Sequence, residues 1–210
     1  MADDDDNGAS CGNSQHGERL VKLGDLYQGG IVFYVESPDK HGCGSHGLIE
    51  ALQDQATAVQ WAYLIGSATH AVDDALYAGK RNTTWIIALD QRSAFPGTDA
   101  VTIAAGYRTV ANGSACKSFP LVLPSGSGPT ELCYNDWYLP SAGELALMIE
   151  EASILSSASC PSCKPFSVTT YWSSTAVDLT NALVVKTSPA GAYNTQPMSN
   201  LYGVRAVRSF

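Results

Sequence analysis

Six cysteines set the tightest limit on how this chain can fold. Cys11, Cys43, Cys116, Cys133, Cys160 and Cys163 form an even set in a chain rich in Gly, Ser, Thr, Asn and Pro. That combination reads as a disulfide framework made in an oxidising compartment. Sequence alone does not choose among the connectivities six cysteines allow. The expected pairing joins Cys116 to Cys133 across a Pro/Gly/Ser loop and Cys160 to Cys163 as a tight local bridge. Cys11 is then left with Cys43.

The 210 residues are 45% apolar and only 15% charged. This is enough apolar material for a core and too little charge for a disordered chain. The net charge of −8 comes from 12 basic and 20 acidic residues. Five of the acids, Asp3 to Asp6 and Glu18, lie in the first 18 residues, where there is no Lys or Arg. The rest of the chain is nearly balanced, so local basic patches can form. No basic stripe or reading motif points to nucleic acid. No apolar run approaches the ~18 residues needed to span a bilayer, so membrane insertion is not expected. Residues 1–22 read as a flexible acidic tail or linker, and residues 23–210 as one domain. A secretion signal is expected upstream of the acidic start.

Gly30–Val35 is β-branched and aromatic after a Gly-Gly turn, which predicts a strand. Asn82-Thr83-Thr84 reads as the cap of a helical run through Trp85 to Leu89, stopped by Phe95-Pro96-Gly97. The clearest helix starts at Ser141, where Ser141 and Glu144 have capping-box spacing. Leu145, Met148, Ile149, Ala152 and Leu155 follow on one face. Strands are expected at 169–174, 182–187 and 203–210. In the last, Val204 and Ala206 face one side, and Arg205 and Val207 the other. A terminal strand of this kind is expected to close a sheet beside an early strand. The order of elements reads as α+β.

Several segments carry a resemblance when taken in order. They are Asp25–Tyr34 with His46-Gly47-Leu48-Ile49, then Gly79–Thr83 leading into Ile86-Ile87-Ala88. Asn135-Asp136-Trp137-Tyr138-Leu139-Pro140-Ser141 with Glu144-Leu145 is the most specific. Tyr171-Trp172-Ser173-Ser174-Thr175 and Gly203–Arg208 complete the set. Together they resemble the C-terminal domain family of the Legionella collagen-like adhesin, over roughly residues 23–210. The resemblance implies a C-type-lectin-like α+β domain. It would have a mixed, mainly antiparallel sheet, two principal helices, and first and last strands paired. It also implies an extracellular protein of the bacterial cell surface that binds sulfated glycosaminoglycans of the heparin or chondroitin sulfate type. A homotrimer and cation-dependent aggregation are implied as well. Calcium-dependent lectins of this fold use triplets that this chain lacks. Gln196-Pro197-Met198 misses a third ligand, and Asn135-Asp136-Trp137 has its letters in another order. The calcium-bridged sugar site is therefore not carried over.

Sulfate and carboxylate groups are bound by Lys and Arg through charge-assisted hydrogen bonds. The candidate ligand-binding residues are Lys80, Arg81, Arg108, Lys117, Lys164 and Lys186, of which Lys80-Arg81 is the only adjacent pair in this set. The bland alternative is scattered solvating charge. Arg205 and Arg208 read as structural ion-pair partners, and Trp137, Tyr138 and Trp172 as core more than as sugar platforms. Asp73-Asp74 and Glu150-Glu151 are candidate oxygen ligands for weak calcium or magnesium binding, against a reading as solvated faces. No other cofactor is expected. Cys160-Pro161-Ser162-Cys163 reads as a structural bridge, because it does not open a helix of a redox fold. His41, Cys43 and His46 make a poor zinc set. No nucleophile elbow, phosphate loop, dinucleotide fingerprint or zinc-protease motif occurs, and the oxidase chemistry known on lectin-like folds needs a reactive cysteine pair absent here. A binding protein is therefore expected, with a structural trimerisation tip as one alternative and an enzyme on a lectin-like fold as the other.

Overall fold

The computed structural model describes residues 11–12, 19–63, 69–90, 98–116, 133–154 and 162–210. Among the described residues, two sheets and three helices form an α+β arrangement. The first sheet contains β1 (Leu26–Tyr27), β2 (Gly30–Val35), β3 (Gly47–Ala51) and β9 (Val207–Ser209), in the order β1-β2-β3-β9. All its pairs are antiparallel. The second sheet contains β4 (Ala56–Val59), β5 (Thr170–Ala176), β6 (Asn181–Thr187), β7 (Ala190–Pro197) and β8 (Tyr202–Val204), in the order β4-β8-β5-β6-β7. Only β5 and β8 run parallel.

Two expectations about the sheets need correcting. The chain's first and last strands are not neighbours, because β9 pairs with β3, which stands between it and β2. Both ends do share one sheet, so the expected closure beside an early strand is seen. The final strand is also broken. β8 belongs to the second sheet and β9 to the first, and the change of sheet occurs at Arg205-Ala206. Simple alternation fails across this break, and Val204, Arg205, Ala206 and Val207 are all buried.

Helix α1 spans Gly79–Asp90, α2 spans Ala100–Gly106, and α3 spans Ala142–Glu150. Asn82-Thr83-Thr84 is expected from the sequence to cap this helix, but α1 starts three residues earlier, and Asn82 and Thr83 lie buried inside it. The Asn82 amide donates to the Asp73 carbonyl at 2.6 Å, and Thr83 Oγ1 meets the Leu139 carbonyl at 3.2 Å. The first residue of α1, Gly79, has no room for a side chain, because a Cβ there would come within 2.3 Å of the Glu144 carboxylate. At α3 the capping box is complete. Ser141 Oγ accepts from the Glu144 amide at 3.2 Å, and Glu144 Oε2 accepts from the Ser141 amide at 2.8 Å. The other Glu144 oxygen accepts from the Tyr77 amide and the Tyr138 hydroxyl. One carboxylate thus ties α3 to the chain ahead of α1. Leu145, Met148 and Ile149 pack with Phe33, Leu48, Tyr171 and Val185, which places α3 on the core. Leu155 lies outside the described residues.

Trp61, Trp137 and Trp172 are fully or almost fully buried with Val32, Ile49 and Val204. The core reading of Trp137, Tyr138 and Trp172 is therefore seen directly. The Tyr171–Thr175 motif is structural throughout. Trp172 Nε1 donates to the Val59 carbonyl, Ser173 Oγ to the Leu183 carbonyl, and Thr175 Oγ1 accepts from the Ala142 amide. Cys11–Cys43 and Cys116–Cys133 are bonded as expected. Cys163 is also disulfide-bonded, while Cys160 lies outside the described residues. The parts of the expected tail that are described are attached to the domain. Cys11 is bridged to Cys43, and Val21 is buried and paired with Gly44.

Candidate anion-binding surface

The expected basic residues divide between several places. Lys80 lies on α1 with its side chain 56% exposed, 3.9 Å from the Asp136 carboxylate. Arg208, on β9, pairs with the same carboxylate, donates to the Gln28 side chain, and lies over the Tyr134 ring. Arg108 follows α2 and donates to the Asn135 carbonyl at 3.3 Å. Three cations, from α1, from β9 and from the chain after α2, thus meet the two-residue segment Asn135-Asp136, where Asp136 is the one acid. The segment is held from behind, because Trp137 and Tyr138 are core residues and Tyr138 bridges to Val207 of β9. Three cations against one carboxylate leave the segment with an excess of positive charge, which attracts anionic groups.

The other candidates do not join this strip. Arg81 turns to Asp73, with which it is ion-paired, and its guanidinium lies 5.4 Å from the Trp85 ring centroid. Lys186 occupies a half-exposed position on β6, opposite Thr170 and Ala192. Lys164 is exposed, and its main chain serves the Arg205 site. Lys117 lies outside the described residues. Arg208 was read as structural, and it does form a structural ion pair. What the sequence did not show is that its pairing partner also receives Lys80. The two residues are far apart along the chain, and no local pattern links them.

Arg205 is wholly buried. Its Nε donates to Asp54 Oδ1 at 2.7 Å, and its Nη groups donate to the carbonyls of Ala51, Lys164 and Pro165. The expected structural role is seen, and it uses Asp54 together with Ser167 and Tyr171. Glu50 lies 4.0 Å from Arg205, and burial pushes its carboxyl up to about 8. Glu144 is also raised by burial, to about 7, against the hydrogen bonds that favour its charged form.

The acidic pairs are used singly. Asp73 holds Arg81, and the Glu150 carboxylate lies close to Gly191. Among the described residues no three His, Cys, Asp or Glu side chains gather as a metal site requires. Cys43 is tied up in its disulfide, so the His41/Cys43/His46 set has no thiolate to offer. The Gln196-Pro197-Met198 triplet is structural. Gln196 Oε1 accepts from Asn200 and Tyr202, and Met198 is buried. Among the described residues no helix is long and apolar enough to cross a membrane.

No protein-family model matches the chain, and no curated protein matches it. A solved structure does. The fold is similar to that of a fimbrial protein from Bacteroides ovatus ATCC 8483, with a TM-score of 0.55 and 18% sequence identity. The match covers 89% of this chain and 48% of that one, so the chain spans about half the length of the fimbrial protein. At this identity the likeness is one of fold alone.

Proposed function

We propose that this domain is the head of an extracellular bacterial surface adhesin, a C-type-lectin-like module of the collagen-like adhesin type. It binds sulfated glycosaminoglycans and does not catalyse a reaction. The reading rests on one observation above all. Lys80 on α1, Arg208 on β9 and Arg108 in the chain after α2 meet at the segment Asn135-Asp136. Sulfated polymers present closely spaced anions, and cations gathered on one segment answer several of them at once. The bonded cysteines support an oxidising, extracellular setting. Assembly into a homotrimer would multiply weak contacts into useful avidity, and weak calcium or magnesium binding would belong to that assembly.

Retention on immobilised heparin or chondroitin sulfate tests the proposal. The native domain is expected to bind at low salt and to elute as salt rises, because screening acts over ~8–10 Å near physiological strength. Lys80→Ala combined with Arg108→Ala is expected to lower both the retention and its salt dependence, while Lys186→Ala leaves both nearly unchanged. A native domain that flows through at low ionic strength overturns the reading.

A further inference from the structure

The chain has four tryptophans, and the structure treats one differently. Trp61, Trp137 and Trp172 are at most 2% exposed, whereas Trp85 is 40% exposed. The apolar run Trp85–Leu89 suggests a buried helix face, but the buried face of α1 is the one shared by Asn82, Thr83 and Ile86. At about 100° per residue, Trp85 falls off that face. An indole left half in water costs hydrophobic free energy that burial would have recovered.

Trp85 is also a wall of a concavity. A pocket of about 530 Å³ is lined by Thr69, His70, Trp85, Ala88 and Leu89. This lies in the size range of small-ligand sites. Helix geometry orders the parts. Arg81 sits one turn before Trp85, over the indole ring, and is fixed there by Asp73. Ala88 and Leu89 sit one turn after it. Side chains on a helix lean toward its N-terminus. The indole therefore leans toward Arg81, leaving the side above Ala88 and Leu89 open. Across that opening stands His70, exposed and with a left-handed backbone (φ 54°). Few residue types accept that conformation, and such strain gathers at ligand sites. Among the described residues, none that lines the pocket carries a carboxylate.

We infer that Trp85 is the stacking platform of a saccharide subsite, taking the face of one pyranose ring of an acidic glycan. A pyranose ring has an apolar C–H face that packs on an aromatic ring and a hydroxyl rim that needs donors and acceptors. The indole supplies the first, and the Thr69 hydroxyl with the His70 imidazole supplies the second. Arg81, one turn back on the same helix and over the indole ring, lies where the anionic group of the next sugar would fall. The inference deepens the proposed function and rests on it. It adds a contact that salt does not screen.

Titration with a sulfated chondroitin tetrasaccharide by isothermal calorimetry at several salt concentrations, for the native domain and each variant, with tryptophan fluorescence of the native domain alongside, separates the two claims. Trp85 is the exposed indole, so saturable quenching or a blue shift is expected in the native domain. Trp85→Ala is expected to bind about tenfold more weakly with the salt slope unchanged, and Trp85→Phe to recover most of the affinity. Lys80→Ala with Arg108→Ala is expected to lower the slope instead. If the native domain binds and Trp85→Ala binds equally well at every salt concentration, the platform is refuted while the adhesin reading stands. A slope lowered by Trp85→Ala refutes it too, because the ring would then act only by holding Arg81. If the native domain binds neither tetrasaccharide nor polymer at low salt, both readings fall.

Discussion

Replacing Glu50 by glutamine probes the electrostatics at the centre of the fold. Glu50 is fully buried on β3, and neither of its carboxylate oxygens has a hydrogen-bond partner. Arg205 is 4.0 Å away, but its donors go to Asp54 and to the carbonyls of Ala51, Lys164 and Pro165. Lost solvation therefore dominates, and the carboxyl rises from 4.5 to about 8, with Arg205 opposing and the Asp54 charge reinforcing the rise. Glu50 is neutral at pH 7 in the folded state and ionised in the unfolded one. The folded state thus holds a proton that the unfolded chain releases above about pH 4.5. The resulting stabilisation is complete below that pH and is lost as pH rises through 8. Its full size is about 5 kcal/mol, of which about 4 kcal/mol falls between pH 5 and pH 9. Glu144 contributes in the same direction, with a carboxyl raised to about 7, so the native curve contains both groups. Glutamine keeps the shape and removes one titration, and the difference between the two curves isolates Glu50. Urea unfolding by circular dichroism, with disulfides intact, is the assay. From pH 5 to 9 the variant should lose about 4 kcal/mol less stability than the native domain. A uniform destabilisation with an unchanged pH slope would show Glu50 ionised against Arg205 and refute the reasoning.

Two further outcomes follow from the same contacts. Asp54→Ala leaves the buried Arg205 without its carboxylate and removes an acceptor from Ser167 and Tyr171. It should cost ~3–5 kcal/mol and lower Tm by about 10 °C, and calorimetry showing an unchanged Tm would contradict the assigned pairing. Ser141→Ala removes the α3 cap and a 2.7 Å bond from Ser141 Oγ to the Ala75 carbonyl. A loss of about 1–2 kcal/mol is expected, measured by denaturant midpoint at constant m-value.

Local chemistry was legible in the chain. Ser141 and Glu144 are three residues apart, and their reciprocal bonds need only that spacing. Gly30–Val35 and Asn181–Thr187 are dense in β-branched residues and fold as strands. β7, Ala190–Pro197, has no such density, because it is an edge strand whose side chains are mostly exposed or half-exposed. The sequence therefore hides it. α2 is hidden for a similar reason. Its cap, Asp99, stands before a seven-residue helix too short to show a period.

By itself the sequence determined the α+β class and the capping box, and it favoured, without deciding, two of the disulfide pairs and the structural use of Arg205. These depend on neighbours in the chain, on covalent pairing, or on the cost of burying an unpaired guanidinium. Only the tertiary structure decided that the last strand changes sheet at Arg205, that Lys80, Arg108 and Arg208 share one strip, and that Trp85 is left half exposed. Each depends on which distant segments pair, and pairing register is a property of the whole fold that no local spacing records.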